Sequence, residues 1–191
     1  HATALTAISC APGVAYCFCD ADAPCGNEDA LGGCVTGWGN GGALLSGTGT
    51  ASVLADDLEL IVSGIGPGEP GIVYMGAATV RFAFGDGLRC VGQGGVGAFR
   101  FPFQHAGGAG NFTQGPGIVA HSHASFGQPG HIGPGQTWHF QGWFRDPFGP
   151  CGSGFNLTNA YTVTFDAGGG TLVDLEAHSI QLTTTSVEPA Q

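Results

Sequence analysis

No lysine occurs anywhere in this chain, and only four arginines stand against fourteen aspartates and glutamates, for a net charge of −10 at pH 7. Nucleic-acid binding needs cations to neutralise phosphates, and docking on an anionic membrane needs a basic stripe. Neither feature is present, so no nucleic-acid partner is expected. A chain without lysine also forms no Lys–Asn isopeptide cross-link and no lysine Schiff base. No apolar run is long enough for a membrane span or a signal h-region, so membrane insertion is not expected. The chain does not open on methionine, and His1 reads as a processed end, as after signal cleavage. A Gly-x-Ser-x-Gly elbow is missing, as is a cysteine in a catalytic signature. The glycine strings GIGPG and GQGGVG precede no helical pattern, so they are not phosphate loops. The expectation is a protein that is not an enzyme.

Glycine is what the chain has in excess. It supplies 37 of the 191 residues, nearly three times the usual share of about 7%, and proline supplies 11. No Gly-X-Y period exists, which excludes collagen. A hydrophobic content of 42% excludes simple disorder. Short β-branched and aromatic runs alternate with Gly/Pro turns, and no helical period is sustained. Strands are expected at 43–54, 58–65, 72–84, 88–91, 96–105, 118–123, 137–145 and 157–165. That count and spacing predict an all-β protein, a β-sandwich or jelly roll. Phe99, Phe101 and Phe103 fall on one face and read as core.

The densest stretch is 136–165, QTWHFQGWFRDPFGPCGSGFNLTNAYTVTF. Trp138, Phe140 and Phe144 share one face of its first strand. His139, Gln141 and Arg145 share the other, with Trp143 among them. On its second strand Leu157, Tyr161, Val163 and Phe165 alternate with Asn156, Thr158, Thr162 and Thr164. This is the pattern of two half-buried antiparallel strands around a turn. The organisation expected is a strand-like tail over 1–15, a body over 16–165, and a Gly linker with a strand-like extension over 166–191.

Seven cysteines lie at 10, 17, 19, 25, 34, 90 and 151. Such usage fits an oxidising compartment, so the protein is expected to be secreted, extracellular or on a cell surface. Cys17 and Cys19 are too close to pair comfortably with each other. A zinc cluster would want two Cys-x-x-Cys knuckles, and there are none. The odd count leaves one thiol free or paired between chains.

Four strings carry a resemblance: YCFCDADAPCGN…GGC, GTGTASVLADDLEL, FGDGLRCVG, and GQTWHFQGWFRDPFGPCGSGFNLTNAYTVTF. Over roughly residues 16–165 the chain resembles a domain found near the C-terminus of large secreted proteins of planctomycete-type bacteria. The resemblance implies a β-rich, disulfide-bearing extracellular module without an assigned enzymatic activity. It implies a Cys90–Cys151 bridge and a second cluster among Cys17, Cys19, Cys25 and Cys34. Cys10 lies outside the pattern and is the candidate free or intermolecular thiol. The chain also continues past Phe165, where such domains usually stop.

Several residues are candidates for chemistry. His1 could form a copper histidine brace with a second imidazole from His121, His123, His131 or His139. His121 and His123 share a strand face at a spacing that suits a divalent metal. Asp20, Asp22, Glu28 and Asp29 crowd one loop and could hold calcium, although their spacing is not that of an EF-hand. The structural alternative is a solvated acidic loop held by disulfides. Arg145 with Asp146, and Asp86 with Arg89, read as structural ion pairs or turn residues. No other cofactor is expected. Sequons at Asn111 and Asn156 are glycosylation candidates, the second on the polar face of its strand. Trp38 and Trp143 are the candidates for glycan binding.

Low charge, strand-like ends and an odd cysteine together point to a secreted structural subunit of a filament, sheath or matrix. It would pair with itself by exchanging terminal strands over 1–9 or 171–191. The alternative is a glycan-binding module at the cell surface. The third reading is the copper enzyme built on His1.

Overall fold

The computed structural model describes residues 11–39 and 41–168. His1, Cys10 and both expected terminal strands lie outside the described residues. What is described is all-β apart from one short α-helix and one turn of 3-10 helix, and it is built around one central sheet. In that sheet β1 (Val14–Tyr16), β11 (Phe155–Thr164), β10 (Thr137–Arg145), β4 (Pro70–Gly76) and β7 (Ala98–Arg100) lie side by side. The short β8 (Gln104–His105) pairs with β4 beyond β7. Every pairing is antiparallel. The expected boundary after residue 15 falls inside β1. Asp166, first of the expected linker, makes a bridge to Ser52.

Two smaller sheets cover the central one. β2 (Leu44–Thr48), β3 (Glu59–Ser63) and β9 (Asn111–Gln114) form the first. Leu45, Leu60, Val62 and Phe112 of this sheet pack against Val73, Met75, Phe140, Phe144, Tyr161 and Val163 of the central sheet, all buried. This is the sandwich core. Burial of each such side chain contributes about 1.5–3 kcal/mol before chain entropy is counted. The outer edge of β2 is closed by a side chain: Asn159 accepts from Leu45 N at 2.8 Å and donates to Leu45 O at 3.1 Å.

The second cover is a hairpin, β5 (Ala78–Phe84) with β6 (Gly87–Gly92). The expected single strand over 72–84 is two strands in two layers. The chain leaves the central sheet at Gly76, where a Cβ would collide with the Gly92 carbonyl. Leu88, Cys90 and Val91 of β6 pack on Tyr74, Leu157 and Ala160, on the face away from the sandwich core.

The central strands are therefore covered on both faces, which corrects the half-buried reading. Gln141 is buried and bonds four ways. Its amide donates to Leu88 O and Thr158 O, both at 2.8 Å. Its oxygen accepts from Tyr74 Oη at 2.6 Å and from Cys90 N at 2.9 Å. One buried amide thus fastens β6 and β4 to the central strand pair, with no polar atom of its own left bare.

Leu157 also departs from expectation. The register of β10 against β11 shifts between Gln141 and Trp143, so Thr158 and Asn159 oppose Gly142 alone. One extra residue reverses the side-chain alternation. Leu157 therefore faces the hairpin, while Tyr161, Val163 and Phe165 face the sandwich core.

Residues 118–123, read as a strand, belong to a helix, α1 (Ile118–Ser125). Its exposed N–H groups find a partner far away in sequence. The Asp56 carboxylate accepts from Val119 N at 2.8 Å and from Ala120 N at 2.9 Å. No helix among the described residues is long and apolar enough to cross a membrane.

Candidate functional site

The hairpin covers only part of the outer face of the central sheet. Beside it lies a cleft of about 330 Å³. Tyr74, Trp143 and Leu157 form its floor. Phe84 and Arg89 come from the hairpin, and Arg100 and Phe103 from β7 and the segment after it. The lining is mostly carbon, with two of the four arginines of the chain at the walls.

Local sequence explains how these side chains arrive there. On β7, Phe99 turns inward to Trp138 and Phe126, so Arg100 turns outward. Phe101 returns to the core, and Pro102 interrupts the strand. Phe103 then points away from the core. It is 66% exposed and stands edge-on to Trp143, centroids 6.5 Å apart at 88°. This corrects the reading of Phe99, Phe101 and Phe103 as one core face. Trp143 is half-buried and is steadied from its other side by Phe155, at 5.8 Å. Phe155 in turn meets Phe84 at 5.1 Å.

Arg89 is held in place: its Nε donates to Val91 O at 3.1 Å and its guanidinium lies 5.9 Å from the centre of the Phe82 ring. Among the described residues neither Arg89 nor Arg100 pairs with a carboxylate. Arg81 differs. It pairs with Asp20 at 2.8 Å and Asp22 at 3.4 Å, and donates to Phe18 O and Ala21 O. The Arg81 hydrogen bond holds the exposed Asp20 carboxyl below its ordinary pKa. Burial pushes the Tyr74 phenol up, and its proton is committed to Gln141.

Elsewhere the expected site residues separate. All six described cysteines are bridged, as Cys17–Cys90, Cys19–Cys34 and Cys25–Cys151. The implied Cys90–Cys151 bridge is thus replaced by two bridges, each running to the N-terminal segment. Cys90 sits in the hairpin core beside Cys17. Cys151 lies in the turn after β10, against Cys25 and Asn27.

The acids of the cysteine-rich loop do not converge. Asp20 and Asp22 turn to Arg81. Asp29 instead accepts from Leu31 N at 2.8 Å and Gly42 N at 2.6 Å. No cluster of three His, Cys, Asp or Glu side chains fit to hold a metal occurs among the described residues.

The histidines separate too. Two positions apart on a helix face different ways, so the shared strand face of His121 and His123 is lost. His121 lies against Phe101 and Phe126. His123 donates from Nε2 to Ile132 O at 2.9 Å and stacks on His131 at 4.4 Å. His139 meets Thr162 Oγ1 at 2.8 Å, and burial lowers its pKa.

Asn156 is 0% exposed, and its amide donates to Cys34 O and Val35 O. A glycan at that nitrogen would break both bonds, which corrects its reading as an exposed sequon. Asn111, at the start of β9, is exposed. Trp38 is away from the cleft. Its indole lies where a Cβ on Gly66 would sit, edge-on to Phe148 at 5.6 Å.

Asp86 and Asp146 are both 0% exposed and act as anchors. Asp86 accepts from Ser153 N at 2.8 Å and Cys151 N at 3.0 Å. Asp146 accepts from Gly37 N at 3.1 Å and makes no pair with the exposed Arg145. Burial and the nearby Asp86 charge raise the Asp146 pKa, against the bond from Gly37 and one to Asn156.

Sequence reasoning found Trp143 but missed its neighbours Phe84, Arg100 and Phe103. The available signal was scarcity, since in a chain with four cations each position invites a question. No family model matches this chain. No curated protein matches it, and no solved structure matches it.

Proposed function

We propose that this protein is an extracellular binding module, braced by disulfides, that takes a small ligand in the cleft over Trp143. The observation that carries the reading is the cleft itself. A concave, largely apolar site with a few convergent polar groups is the usual form of a small-molecule site. The three disulfides fit an oxidising setting, which supports an extracellular location. Of the two tryptophans expected to bind, only Trp143 serves, because Trp38 is spent on packing against Gly66.

The test is a ligand screen by amide and indole NMR shifts. Ligands should perturb Trp143, Phe103 and Arg100 together. Trp143→Ala should abolish binding while the circular dichroism spectrum stays unchanged. Ligands that shift residues elsewhere but never these would refute the reading.

A second reading is a self-assembling structural subunit. It is favoured by the strand edges at β1 and β9, which end their sheets among the described residues. Sedimentation of the whole chain against chains lacking 1–9 or 169–191 tests it. Polymers that vanish on either deletion support assembly; a monodisperse whole chain at high concentration refutes it.

A further inference from the structure

We infer that the ligand of this cleft is a small organic acid, a flat apolar ring bearing one carboxylate, with the ring against Trp143 and the carboxylate on Arg89 and Arg100. This deepens the binding-module reading and rests on it.

Three observations select that chemistry. The first is what the cleft does not offer. The hydroxyl at its floor, Tyr74 Oη, already donates to Gln141 at 2.6 Å. A neutral sugar would bury several hydroxyls there with few partners, and each unpaired one is costly. An apolar ring has no such demand. It gains from Trp143 and from Phe103, whose plane stands at 88° to the indole and offers a second, perpendicular wall.

The second is where the positive charge sits. In a chain of net −10, a diffusing anion is repelled almost everywhere. Two of the four arginines nonetheless line one apolar cleft. They come from different elements, β6 and β7. Among the described residues neither has a carboxylate partner, whereas Arg81 has two. Guanidinium groups next to carbon surface bind a carboxylate more strongly than they do in open water, because the local dielectric is low. The bond from Arg89 Nε to Val91 O fixes its stem, so less freedom is lost when its terminal nitrogens engage a ligand.

The third is size. A volume of about 330 Å³ lies at the small end of ligand sites, which suits one or two fused rings and excludes a long chain or a folded partner.

The experiment titrates the whole chain with naphthoate, with its neutral isostere naphthalenemethanol, and with trigalacturonate, an acid without an aromatic ring. Calorimetry gives affinities, and the indole shift of Trp143 reports the site. Naphthoate should bind at Trp143, and naphthalenemethanol about tenfold or more weakly, the difference expected for one charge-assisted contact. Arg100→Gln and Arg89→Gln should each erase most of that difference and leave the alcohol unaffected. Arg100 is exposed and Arg89 is half-buried on the hairpin, and a wild-type amide spectrum away from the cleft establishes that each variant is folded.

Equal binding of acid and alcohol, unchanged in either variant, would overturn the assignment of the arginines while leaving a binding cleft. Trigalacturonate binding at Trp143 more tightly than naphthoate would overturn the apolar ring and return the site to acidic glycans. No shift at Trp143 with any of the three would overturn both this inference and the binding-module reading.

Discussion

The two faces of the central sheet are held by different physics. On one face, β2, β3 and β9 close over a continuous apolar core that includes Phe140, Phe144, Leu60 and Val62. On the other, the cover is a two-stranded hairpin and the cysteine-rich segment beside it, with a core of a few side chains. An isolated hairpin is marginal in water. Here it is fastened by a bridge from Cys17 to Cys90, by the four bonds of Gln141, and by Arg81 reaching from β5 to the 18–22 loop. Covalent and polar ties let a small cover stay in place without spanning the sheet. The uncovered remainder is the cleft. A face closed by apolar burial alone could not leave such a gap, because exposed aromatic floor would favour collapse over it.

That contrast can be broken most directly at the disulfides. Cys17 and Cys90, whose bridge fastens the hairpin, are 73 residues apart. Replacing both by alanine should cost about 4–5 kcal/mol on the chain-entropy account. Hydrogen exchange should show β5, β6 and the cysteine-rich loop losing protection while β2, β3 and β9 keep theirs. Equal loss on both faces would show that they form one cooperative unit, and the contrast would fail.

Next in size, Phe140→Ala opens a cavity on the closed face and should cost about 3–5 kcal/mol in a urea melt. Wherever the variant is folded, the Trp143 indole shift should be unchanged. A moved indole would mean that the two faces are coupled through β10. Asp86→Ala is smaller. It strands the N–H groups of Cys151 and Ser153, and about 2 kcal/mol should be lost. A neutral result would show that relief of repulsion with Asp146 offsets the lost bonds.

The closed face was legible in the sequence and the open face was not. Period-two alternation found β10 and β11 and assigned Trp138, Phe140, Tyr161 and Val163 to one side, because apolar burial writes itself into spacing. Buried polar residues were the obstacle: Gln141 on the hairpin face, and Asn156 and Thr158 on the side opposite Leu157, are covered because each is hydrogen-bonded, and alternation cannot tell a bonded amide from a solvated one. The bulge that turned Leu157 around leaves no mark in composition. Helix α1 was missed because its capping carboxylate, Asp56, lies in a distant loop. The cysteine pairing was hidden for a similar reason, since Cys19–Cys34 is the only short-range bridge among the described residues. Phe103 needed the break at Pro102 to face the cleft.

The smallest effect to look for is a pH slope that belongs to the open face. Asp146 has its pKa raised above 3.8, first by burial, and Asp86 adds to the shift. A carboxyl with a raised folded pKa keeps its proton when the unfolded chain has lost it. Folding then takes up a proton, and stability falls as pH rises from near 3.8 through the folded value. Above that window the full penalty is present. Asp146→Asn removes the titration and retains one oxygen to accept from Gly37 N. Urea midpoints of the two proteins should diverge as pH rises through the window, with the variant gaining relative to the wild type, and should run parallel beyond it. Phe140→Ala, on the closed face, should follow the wild-type slope at a lower stability. If Asp146→Asn also follows that slope, the buried carboxylate is fully compensated by its donors. The polar ties of the open face would then be as free of electrostatic cost as the apolar packing opposite.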